Sequence, residues 1–73
     1  MQNYKVNALI GQLHQKTAAG ELGHSIVPLL AELATLLESS GNARCLDDAR
    51  RVRNGIQNIN RGGCYGGFVP DYV

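Results

Sequence analysis

The sequence predicts an all-α protein, a three-helix antiparallel bundle with a Gly/aromatic-rich C-terminal arm, and three observations carry that expectation. Apolar residues recur at three- and four-residue spacing in three separate blocks. Glycines stand at the breaks between those blocks. Residues 61–73 gather four of the nine glycines and three of the four aromatics, a composition unlike that of a disordered tail, which has nothing to bury. The chain therefore reads as one small helical domain over 1–73, with helices over about 4–19, 25–40 and 43–60 and the arm over 61–73.

The first helix opens at Asn3, a good N-cap. Its apolar stripe is Val6, Leu9, Ile10, Leu13 and Thr17, and Gly20 and Gly23 turn the chain after it. Ser25 is the expected cap of the second helix, with Pro28 in the first turn, where its missing N–H has no intrahelical partner to lose. Gly41 is the expected left-handed residue at the end of that helix. Ile26, Leu30, Leu33 and Leu37 suffice for a core face, which leaves Leu29 and Leu36 on a second one. A helix apolar nearly all round must be covered nearly all round, so the arm or another subunit is expected there. The third helix starts after Asn42 and places Cys45, Ala49, Val52, Ile56 and Ile59 in one narrow arc. Gly55 interrupts it, at a cost of about 1 kcal/mol relative to alanine, and is expected to admit a close neighbouring helix. Gly62 and Gly63 end it. In the arm, Tyr65, Phe68, Val69, Tyr72 and Val73 offer large apolar surface that must dock on the chain's own helices or on a partner.

Length and charge bound the function. A chain of 73 residues builds a core worth roughly 3 to 5 kcal/mol, and chains this small are commonly stapled by disulfides, metals or oligomerisation. Metal is disfavoured because His14 and His24 share no zinc-site spacing with each other or with the two cysteines. A disulfide within the chain is disfavoured by reach. A helix running from Cys45 to residue 60 ends about 22 Å away, and the four residues on to Cys64 span at most about 14 Å. Homo-oligomerisation is the expected remedy. The net charge of +1 lacks the basic excess of general nucleic-acid binders, so nucleic acid is an unfavoured partner. The longest apolar stretch, residues 26–37, is too short for a bilayer, and the first residues carry no secretory pattern, so a cytoplasmic, non-membrane protein is expected.

The third helix has the only organised charged face. Arg50, Arg53, Gln57 and Arg61 align on it, and with Tyr65 they make a candidate site for a nucleotide or other anion, because guanidinium forks beside amides suit phosphate and carboxylate. Arg44 and Arg51 stand four residues from Asp48 and Asp47 and are expected to form ordinary intrahelical pairs. His14 is expected at the edge of the first stripe, partly buried. No residue set supports catalysis, since Cys64 and His14 lack both an orienting group and an oxyanion loop. No enzyme activity and no cofactor are expected.

These readings converge on a small binding protein that inhibits or adapts another protein. Its expected contact surface is Leu29, Leu36, Tyr65, Phe68 and Tyr72, and its profile is that of a phage or mobile-element accessory protein. The alternatives are an oligomer that sequesters a nucleotide or anion on the arginine face, and a small nucleic-acid-binding regulator that uses the last two helices as a helix-turn-helix.

Overall fold

The computed structural model describes residues 4–70. It is all-helical: α1 (Tyr4–Ala18), a 3-10 turn (His24–Ile26), α2 (Val27–Ser39) and α3 (Ala43–Asn60), with no strand among the described residues. Residues 61–70 follow without regular secondary structure. The expected cap Asn3 and the arm residues Tyr72 and Val73 lie outside the described residues.

The helix ends show local chemistry at work. Beyond α1, Gly20 adopts φ +85°. Its N–H donates to Thr17 O at 3.0 Å while the N–H of Glu21 donates to Lys16 O at 2.9 Å, the paired bonds of a Schellman end. The same device closes α3. Gly62 at φ +93° donates to Ile59 O at 3.0 Å and Gly63 to Asn58 O at 2.9 Å. Asn42 caps α3 as expected, its side-chain oxygen accepting the N–H of Arg44 at 2.8 Å and of Cys45 at 3.4 Å. Gly41 takes φ +74° between α2 and α3, and Pro28 lies in the first turn of α2.

The start of α2 departs from expectation. Ser25 is not its cap: the hydroxyl faces the Glu21 carboxylate at 3.4 Å, and the helix has no side-chain cap at all. A 3-10 turn precedes it instead, closed by the Ile26 N–H donating to Gly23 O at 3.2 Å. That turn tucks Ile26 into the core, and Pro28 removes one of the donors a cap would have served.

The core is Val6, Leu9 and Leu13 of α1, Ile26 with Leu30, Leu33, Ala34 and Leu37 of α2, and Ala49, Val52 and Ile59 of α3. Ile10, Cys45 and Ile56 pack half-buried against it. α2 packs most extensively with α3 and less with α1. Leu29 and Leu36 are half-buried at the core's edge, so the second face of α2 is neither bare nor closed. His14, expected partly buried, is exposed.

Candidate functional site

Gly55 sets the geometry around α3. It is buried, and a Cβ at that position would overlap Cδ1 and Cε1 of the Tyr65 ring. What the missing side chain admits is therefore an aromatic ring from the segment after the helix, where a second helix was expected. Tyr65 is 2% exposed and joins the core. Its N–H donates to Leu22 O at 2.8 Å and its hydroxyl donates to the carbonyl oxygen of Phe68. Burial disfavours the charged phenolate and pushes the Tyr65 hydroxyl up to about 12. Tyr65 is thus a core residue, a correction to its expected place on both candidate surfaces. Phe68 is half-buried, with the Arg51 guanidinium 5.5 Å from its ring centroid, a cation–π distance. Arg51 also faces Asp47 at 3.6 Å, the expected pair one turn apart.

Arg53 has a partner invisible to helical spacing. Its Nε donates to Glu38 Oε2 at 2.6 Å and its Nη2 to Glu38 Oε1 at 2.8 Å, a two-pronged bond from α3 to the last turn of α2. The hydrogen bond, more than the charge itself, holds the Glu38 carboxyl below its ordinary value and the Arg53 guanidinium above its own. Both side chains remain substantially exposed, so the pair orients the two helices more than it stabilises them.

Of the expected anion face this leaves Arg50, Gln57 and Arg61, all exposed, with exposed Asn54 between them. Arg50 and Arg61 form no ion pair among the described residues, whereas Arg44 and Asp48 are both engaged. The four side chains fall on one line because their spacings of four, three and four residues keep returning to the same side of the helix.

A second surface lies between α1 and α2, an open groove of about 490 Å³. Ala8, Leu9, Pro28 and Leu29 supply its apolar lining, and Lys5 and Glu32 stand in it with opposite charge. Sequence reasoning named Leu29 and missed the rest. The signal was present in the stripe of α1, but nothing local says which flank of that stripe meets which flank of α2.

No protein-family model, curated protein or solved structure matches this chain. The geometry alone speaks for the site. Among the described residues no group of three or more His, Cys, Asp or Glu side chains is placed to hold a metal ion, and no helix is long and apolar enough to cross a membrane. Cys45 is half-buried, Cys64 exposed, and both are free thiols.

Proposed function

We propose that this chain is a small non-enzymatic binding protein that inhibits or adapts a partner protein, and that it makes contact through the α1–α2 face with Leu29 at the centre and Leu36 beside it. In this reading the three helices run antiparallel and segment 61–70 is a structural arm rather than a contact surface. The observation that carries it is the groove itself: apolar side chains left half-exposed along a seam, flanked by charges of both signs, in a molecule whose own core is small. The same surface accounts for self-association. Under a two-fold axis running along the groove, Lys5 on one wall and Glu32 on the other each face their opposite in the second copy.

The test compares Leu29→Glu with Arg50→Ala, both as full-length tagged protein, by light scattering and by proteins crosslinked in the cells of origin. Leu29→Glu is expected to give a monomer and to lose the crosslinked partner, with Arg50→Ala retaining both. A Leu29→Glu protein that assembles and crosslinks like the parent removes the groove from the contact surface.

A further inference from the structure

The outward line of α3 carries a second binding role, independent of the groove. We infer that Arg50, Asn54, Gln57 and Arg61 form a site for phosphodiester-linked nucleotides. The line lies opposite the buried stripe of Ala49, Val52 and Ile59, so it faces away from the rest of the chain. Arg50 and Arg61 stand about 16 Å apart along the axis at 1.5 Å per residue. The two amides fall between them.

That order selects the ligand. Guanidinium groups recognise phosphate oxygens in pairs, and the amides of Asn and Gln match the donor and acceptor edges of bases. A single mononucleotide offers one phosphate position. Two separated guanidiniums with amides between them match a ligand whose phosphates are spaced by nucleosides. The neighbouring charges sharpen the choice, because Arg53 is held by Glu38 and Arg51 by Asp47, which leaves Arg50 and Arg61, at the ends of the line, as cations with no ion pair among the described residues. Among the described residues after α3, Tyr65 is buried and Phe68 is half-buried beneath Arg51, so neither ring presents a stacking platform beside the line. Recognition through phosphates and base edges, by a protein of charge +1, sets a modest affinity that falls steeply with salt.

The experiment is fluorescence anisotropy at two salt concentrations with a short DNA duplex, the matching single strand, the matching RNA, and di- and mononucleotides as competitors. At least one phosphodiester-linked ligand is expected to bind and to be displaced poorly by mononucleotides, and the strongest arm identifies the source. Arg50→Ala and Arg61→Ala should each weaken binding roughly tenfold at low salt, and each should flatten the salt slope by about one. Asn54→Ala and Gln57→Ala should relax base preference and leave the slope unchanged. Alanine is the better helix former, so circular dichroism of all four should match the parent. Lys16→Ala, on α1 and facing Glu21, should bind like the parent. Absence of binding in every arm at low salt, mononucleotides that compete equally, or an equal loss in Lys16→Ala overturns the site.

Discussion

The two seams along α2 differ in how they are closed. Toward α3 the packing is the more extensive, Ala34 of α2 and Ala49 and Val52 of α3 are fully buried, and the Glu38–Arg53 fork clips the helices together at the surface. Beside them the Tyr65 ring fills the space that Gly55 leaves open. Toward α1 the packing is less extensive, and Leu29 stays half-buried beside an open groove. A missing side chain on one element matched by a large one on another fills space more completely than a seam left with an open groove along it.

The largest test of that contrast is Tyr65→Ala against Leu29→Ala. Losing a fully buried aromatic costs about 3–5 kcal/mol, which is the whole stability expected of a core this size, so Tyr65→Ala should be largely unfolded at room temperature by circular dichroism. Leu29→Ala should keep a cooperative melt with a lowered midpoint. Equal losses would mean that the two seams are equally closed.

A pair of glycines gives the next test, and its sign is what matters. Gly11 lies exposed within α1 with open space where a side chain would stand, so Gly11→Ala should raise stability by the usual helix-propensity gain of about 1 kcal/mol. Gly55→Ala makes the same local change, yet its Cβ overlaps the Tyr65 ring and should lower stability by roughly 1–3 kcal/mol, as overpacking does. Urea midpoints of the two variants on opposite sides of the parent are the expected result. If both rise, Tyr65 is not seated on Gly55.

The smallest expected effect is with pH. The Tyr65 hydroxyl is raised in the folded chain, so its contribution to stability is complete below its unfolded value near 10 and is lost as pH climbs through about 12. Melting midpoints between these values should fall more for the parent than for Tyr65→Phe. A parallel fall in both would place the loss in other groups.

Most of the fold was legible because its signals are local. The stripes of α1, α2 and α3, the Asn42 cap, Pro28 in a first turn and the left-handed Gly41 and Gly62 all depend on residues within a turn or two of one another. Ser25 failed as a cap because a 3-10 turn, set by the burial of Ile26, took over the start of α2. The site was less legible because its decisive contacts are distant in sequence. Glu38 reaches Arg53 across the turn between α2 and α3, and no spacing rule within one helix finds it. Gly55 announced that something would come close, but the chain alone does not say whether a helix or a ring arrives. Arg50, Gln57 and Arg61 were read from helical phase, which also puts Asn54 on their line, whereas Arg53 leaves the expected face because its side chain is drawn aside to Glu38.

The backbone bond from Tyr65 to Leu22 has a kinetic consequence, because those residues flank α2 and α3 and closing them together encloses both helices. Contacts of such long sequence separation are expected to form late, after the entropy of the enclosed loop has been overcome, whereas only three residues join α2 to α3. The aromatic lock is then expected on the far side of the folding barrier. It should leave the rate of formation nearly untouched and lengthen the lifetime of the finished molecule, a division that the unfolding limb of a chevron plot records directly.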